Sequence, residues 1–303
     1  MSTERTTGPA TGPTTGPPRD AVASQQPGAR RSVALLVASA ALVAAVLFGG
    51  RPDAAAVILA VAVAVAVVAR PEVEDSAGRP VSGARSVAVL VLCLLAALWL
   101  LRGAGTALEA VGVTGAGTVG LWPLPLVLAV GLYALVSRFV RVGLVRDWFS
   151  RGTVARPGVV LTLAVVPVSA LALVVWAWAA GEDGSGHEAY LSLVRDASPV
   201  VLVAGALGFA FVNAAAEELA YNGVLQRALG LEVAAVWAVL AAATVFGASH
   251  WFGFPSGWWG VALAGVYGAM LSVLRQVSGG LLLPWVAHVL ADLTIITILV
   301  VVV

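Results

Sequence analysis

Five ionisable residues stand inside otherwise apolar stretches of this chain: Glu217, Glu218, His250, His288 and Asp292. All five fall in its last third. A charge at the centre of a bilayer costs about 2.5–3.5 kcal/mol even on insertion scales, so such residues mark a functional cavity by default. Their spacing adds to this, because residues four apart on a helix share a face. Asn213 lies four before Glu217, Phe246 four before His250, and His288 four before Asp292. One helix thus offers an amide and two adjacent carboxyls, a second a histidine, and a third a histidine backed by a carboxylate.

This set suffices for hydrolysis. Low-dielectric surroundings disfavour a carboxylate's charge, which brings a buried glutamate into the range where it can take a proton from water. Glu217 is the expected base, and a nearby His250 could share the proton or hold the water. His288, with its ring fixed by Asp292, could donate to the oxygen that becomes negative in a tetrahedral intermediate. The same imidazoles and carboxylate would also suit a divalent metal such as zinc, with Glu217, His250 and His288 as ligands. The chain has no H-E-x-x-H motif, so a metal site would have to be assembled from separate helices. The metal-free carboxylate route is the one expected.

Composition says what must position these groups. Of 303 residues, 60% are apolar and 11% charged, against about 25% charged in soluble domains. A soluble enzyme and a nucleic-acid binder are excluded. The fold class expected is all-α, a polytopic transmembrane bundle of eight or nine helices, because the continuous Ala/Val/Leu runs lack the alternation of a membrane barrel. Spans are expected near 32–50, 54–69, 86–101, 120–140, 157–180, 198–222, 233–250, 258–274 and 280–303, the second and third being short. Residues 1–31 repeat Thr-Gly-Pro at Thr7, Thr11 and Thr15 and read as a disordered tail. Residues 32–180 form N-terminal membrane helices with no recognised role, and 195–303 a catalytic membrane domain.

All seventeen basic residues are arginine, and their asymmetry sets the expected orientation. With a cytoplasmic N-terminus the inner side collects the arginines from Arg5 to Arg31, Arg70 to Arg85 and Arg138 to Arg156, with Arg227 and Arg275. The outer side keeps Arg51, Arg102 and Arg195, together with the acidic loop of Glu182, Asp183, Glu188 and Asp196. The Arg138–Arg156 stretch could also face anionic lipid. Trp99, Trp122, Trp148, Trp176, Trp178, Trp251, Trp258 and Trp259 lie near span ends, as an interfacial belt does. The single cysteine, Cys93, reads as a small buried hydrophobe. His187 is expected to be solvated, Asn213 to bond between helices, and Arg227 and Glu232 to anchor a helix break.

Three short patterns, in order, resemble the membrane family of CAAX proteases and bacteriocin-processing enzymes (CPBP, or Abi). That family is marked by E-E-x-x-x-R, then F-x-x-x-H, then H-x-x-x-N or H-x-x-x-D. Here the three run Glu217-Glu218-Leu219-Ala220-Tyr221-Asn222, Phe246 to His250, and His288 to Asp292. The resemblance covers about residues 195–300 and implies an intramembrane endopeptidase. Glu217 would activate water with His250, and His288 with Asp292 would stabilise the oxyanion. The chain departs from the family at Asn222, where the family has arginine. Asparagine offers hydrogen bonds but no charge, so Glu218 is expected to position its neighbours.

The expected partners are the lipid bilayer and a membrane-associated protein or peptide substrate, with no nucleic acid. Two other functions fit the same residues: a proton-coupled transporter using the five as a relay, and an idle scaffold or immunity protein. A transporter would often show two related halves, and residues 32–180 carry no echo of the Glu217–Glu218 region. Abundant Ala, Val, Gly and Arg without lysine points to a GC-rich bacterial genome and a multi-pass protein of the cell membrane.

Overall fold

In hydrocarbon every backbone N–H and C=O must find a partner within the protein, and a helix does this from its own segment. Each apolar run accordingly becomes one. The computed structural model describes residues 29–69, 73–74, 80–110, 123–139, 149–180 and 198–301. The helices are α1 (Ala29–Phe48), α2 (Pro52–Val68), α3 (Gly83–Ala110), α4 (Pro123–Phe139) and α5 (Arg156–Ala180). Then follow α6 (Pro199–Glu217), α7 (Gln226–Gly230), α8 (Ala235–Ser249), α9 (Gly257–Ser278) and α10 (Leu282–Val301). A π-helical segment, Glu218–Leu225, joins α6 to α7 in one rod, so the described residues hold nine rods. The only strands among them, β1 (Val73–Glu74) and β2 (Pro80–Val81), form a two-residue antiparallel ladder.

The all-helical bundle is therefore the one expected, with nine rods among the described residues, but several lengths differ from those expected. The third is long, 28 residues, and the short apolar helices are the first, second and fourth. The arginine at 102 and the glycines after it do not end α3, since a charge can snorkel at a span end. The sixth rod does not stop at residue 222 but runs from Pro199 to Gly230, 32 residues in all. Among the described residues, six helices are long and apolar enough to cross a membrane.

Several expectations lie outside the described residues: the tail up to residue 28, Arg70 and Arg79, Trp122, Arg141 to Trp148, and the acidic stretch from Glu182 to Asp196 with His187. Of the tryptophans that are described, Trp178, Trp258 and Trp259 are exposed on the bundle's outside, as interfacial residues are. Cys93 is buried in the core.

Apolar side chains gain little by leaving lipid for each other, so close packing between small residues holds membrane helices together. The α8–α9 pair shows it. A Cβ added at Gly247 would stand 2.6 Å from the carbonyl oxygen of Val261, and one at Gly268 would stand 2.7 Å from the ring of Phe246. Gly247→Val is therefore expected to force α8 and α9 apart and to lower the thermal unfolding midpoint in detergent by several degrees. An unchanged midpoint would show that the pair tolerates separation.

The main apolar cluster runs from Leu42 and Leu90 on α1 and α3 to Leu225 and Phe246 beside the site, and smaller ones lie between α5, α9 and α10 and between α6 and α10. On the other side, the segment before α5 clasps the α9–α10 turn: Leu281 N–H donates to Ser150 O (2.9 Å) and Thr153 N–H to Ser278 O (2.8 Å). Gly152, at φ 74°, passes that turn too closely for any side chain.

Candidate active site

The sixth rod changes pitch at the acidic pair. At Glu218 the helix widens from α to π and stays so for eight residues, a form common at functional sites. Glu217 thus closes α6, and Glu218 opens the π segment. His250 stands where α8 tightens into a 3₁₀ turn, His250–Phe252, which ends the helix and turns the chain back toward α9. His288 and Asp292 lie one turn apart on α10.

The rod's extra length explains why these residues share a level. From Glu217 to Gly230 the chain descends thirteen residues, and from Ala235 to His250 it climbs back fifteen. A sixth span ending at residue 222 would have left Glu217 near one surface and His250 near the other.

All five residues meet. His288 is the hub: its Nδ1 lies 2.8 Å from Glu218 Oε1, and its Nε2 lies 3.5 Å from Glu217 Oε2 and 3.9 Å from Asp292 Oδ1. An ionised Glu218 can only accept, so it fixes the proton of His288 on Nδ1. The expectation that Asp292 fixes this ring is thus modified. Asp292 stays within ion-pair reach, but Glu218 makes the short bond, and Asp292 is itself held by Asn213 Nδ2 at 3.1 Å. That last bond ties α6 to α10 and is the interhelical link expected of Asn213.

His250 Nδ1 lies 2.8 Å from the carbonyl oxygen of Phe246. A carbonyl only accepts, so Nδ1 carries the proton and the neutral ring presents the lone pair of Nε2. That Nε2 lies 3.8 Å from Glu217 Oε2. Glu217 Oε2 is buried and makes no hydrogen bond to the protein. An acceptor so placed between two imidazole nitrogens is ready to take a proton from a small polar molecule.

Asn222 occupies the family's arginine position as a bridge. It donates to Glu218 Oε2 at 2.7 Å and accepts from Ser272 Oγ at 2.8 Å. Gln226 Nε2 donates to the backbone of Ser272 at 2.8 Å, continuing the link between the π segment and α9. Arg275, buried one turn further along α9, is within electrostatic reach of Glu218. A positive charge therefore comes near Glu218 from α9, not from position 222.

Tyr267, Ser272 and Tyr221 also belong to the site, though nothing in the sequence marks them. The ring of Tyr267 stands edge-on to His288 (5.7 Å between centroids), and its buried hydroxyl makes no hydrogen bond to the protein. Phe246 packs against both histidines and against Tyr221. A tyrosine or serine carries too little cost in an apolar helix to stand out in sequence, which is why only the charged members were visible.

Two cavities flank the cluster. The larger, about 190 Å³, lies among α5, α8, α9 and α10 and is lined by His250, Tyr267, His288 and Asp292 over an otherwise mostly apolar wall. The smaller, about 60 Å³, touches Glu217 and His250 from the side of α1, α3 and α4. Among the described residues no group of three or more His, Cys, Asp and Glu side chains is arranged to hold a metal ion. The steps proposed below use the chain's own side chains.

Residues 199–294 match the family model described as Rce1-like, type II CAAX prenyl endopeptidase. The matched segment spans α6 through most of α10 and contains all five ionisable residues of the site. It supports the CAAX protease and bacteriocin-processing family that the three motifs resemble, and an intramembrane CAAX-type endopeptidase in general. Neither the curated proteins nor the solved structures include a match to the chain.

Proposed function

We propose that this chain, related through residues 199–294 to the type II CAAX prenyl endopeptidases, hydrolyses a peptide bond of a membrane-associated protein or peptide inside the bilayer. The observation that carries this reading is the buried, unpartnered Oε2 of Glu217 between the Nε2 atoms of His250 and His288, at 3.8 and 3.5 Å.

Glu217 takes a proton from water, and the resulting hydroxide oxygen forms a bond to the scissile carbonyl carbon while the carbonyl π electrons move onto oxygen. His250 holds the attacking water through its Nε2 lone pair. His288, oriented by Glu218 and, when doubly protonated, donating from Nε2, faces the developing oxyanion, with Asp292 balancing its charge. Collapse of the intermediate breaks the C–N bond, and the proton held by Glu217 passes to the leaving nitrogen. Each proton taken is returned, so the cycle needs no oxidant or reductant.

The larger cavity suits an extended peptide or an apolar group carried by it, since its lining is mainly hydrocarbon with the histidines at its wall. Residues 195–303 carry the chemistry on this reading. The arginine asymmetry supports a cytoplasmic N-terminus, and the lysine-free composition rich in Ala, Val, Gly and Arg supports a bacterial cell membrane.

Purified protein in liposomes, offered a proteome-derived set of membrane peptides, tests the reading. Glu217-dependent cleavage is expected, and its absence would sink it. Cleavage is also expected to survive a strong divalent-metal chelator with less than a twofold loss, because the protein's own groups supply base and oxyanion donor. Abolition by chelator, reversed by added zinc, would move Glu217, His250 and His288 to the role of ligands.

A further inference from the structure

The two cavities differ in which catalytic groups they touch. His288 and Asp292 line the larger one, Glu217 lines the smaller one, and His250 lines both. The histidine is therefore part of a partition, with the base on one side and the expected oxyanion donor on the other.

The smaller cavity has a divided lining. Its floor is polar: Asn213, Glu217, Tyr221, Ser249 and His250. Its walls are hydrocarbon from the N-terminal helices, namely Val46 of α1, Leu94 and Leu98 of α3, and Pro125 and Leu126 of α4. A site holds water when it is roomy and offers two to four polar partners, and about 10–15 Å³ of such space admits one molecule. At about 60 Å³ with a polar floor, this one is large enough for several waters and too small for a peptide side chain together with its backbone.

We propose that the smaller cavity is a water store that supplies the nucleophile to Glu217, while the peptide enters the larger cavity on the opposite side of His250. Water and substrate then reach the partition from different directions. The peptide can fill its own cavity without displacing the water that must attack it. This gives helices α1, α3 and α4 a function: they supply the hydrocarbon walls of a small wet space beside the base. The proposal rests on the peptidase reading for the use of the water, but the presence of the water is tested independently of activity.

Hydroxyl-radical footprinting of the wild-type protein in liposomes, with radicals generated in situ by X-rays, labels side chains next to internal water even where bulk solvent does not reach. Tyr221 and Tyr133 are both buried, at 4% and 1% exposure, but only Tyr221 lines the smaller cavity. Tyr221 is expected to be oxidised at least fivefold faster than Tyr133; equal protection of both would overturn the water store.

The kinetic arm fills the space with Leu98→Trp or, from another helix, Leu126→Trp. Each is expected to lower kcat at least tenfold while KM stays within twofold. Leu263→Trp, in the larger cavity, is expected to raise KM instead. Folded Leu98→Trp and Leu126→Trp proteins with wild-type kcat would overturn the supply route. Failure of the wild type to cleave any peptide, with Tyr221 still labelled, would sink the peptidase reading and leave a hydrated cavity.

Discussion

Glu217→Gln is expected to lower kcat/KM for peptide cleavage by about 10²–10⁴-fold, the usual contribution of a positioned general base. The substitution keeps the volume of a side chain that is 7% exposed at the junction of α6 and the π segment, so packing is not at issue. It removes the one acceptor that stands unpaired between His250 and His288. An amide nitrogen placed there would donate toward the lone pair of His250 Nε2 and occupy the position of the water. The loss should appear mainly in kcat, because the larger cavity, where the peptide is proposed to bind, is not lined by Glu217. Circular dichroism and the thermal midpoint should match wild type. Equal rates for Glu217→Gln and wild type would exclude Glu217 as base, and a scaffold or a relay would then fit the site better.

Asn222→Arg, which restores the family's residue, is expected to weaken the protein by tenfold or more. The side chain is buried at 4% exposure, with Glu218 on one side and Ser272 on the other. A longer guanidinium has no room without displacing Ser272 from the π segment. It would also draw Glu218 away from His288 Nδ1, the bond that orients that ring. Arg275 already supplies positive charge within reach of Glu218, so a second arginine adds repulsion as well as bulk. Asn222→Ala is expected to be milder but clear: it leaves Glu218 Oε2 and the Ser272 hydroxyl without their partner. Such orphaning costs about 1–3 kcal/mol, equivalent to about 5- to 150-fold if it falls on the reactive arrangement. Both variants are read as kcat and KM in the liposome assay beside Ser272→Ala. A large gain for Asn222→Arg would mark the natural chain as a weakened relative of its family.

Much of this site was legible in sequence because charges are so expensive in hydrocarbon. Glu217, Glu218, His250, His288 and Asp292 stood out without any structure, and all five converge. The partners that cost little to bury, Tyr267 and Ser272, were silent for the same reason. Helix count followed from the apolar runs. Helix ends did not: the sixth rod continues past residue 222 through a π segment, and nothing in Tyr221-Asn222-Gly223 signals a change of helical pitch as opposed to a stop.

The sequence by itself determined that this chain is a helical membrane protein with an acid–imidazole centre in its last third, since composition and burial cost depend only on residue type. The tertiary structure decided which carboxylate serves which histidine. Glu218, not Asp292, makes the short bond to His288, because contacts across helices depend on where rods end, widen and cross, and four-residue spacing along one helix cannot report them. It also decided that the N-terminal helices reach the site: α1, α3 and α4, featureless in sequence, wall the small cavity at Glu217. Hydrocarbon side chains acquire such a role only from the shape they leave between them.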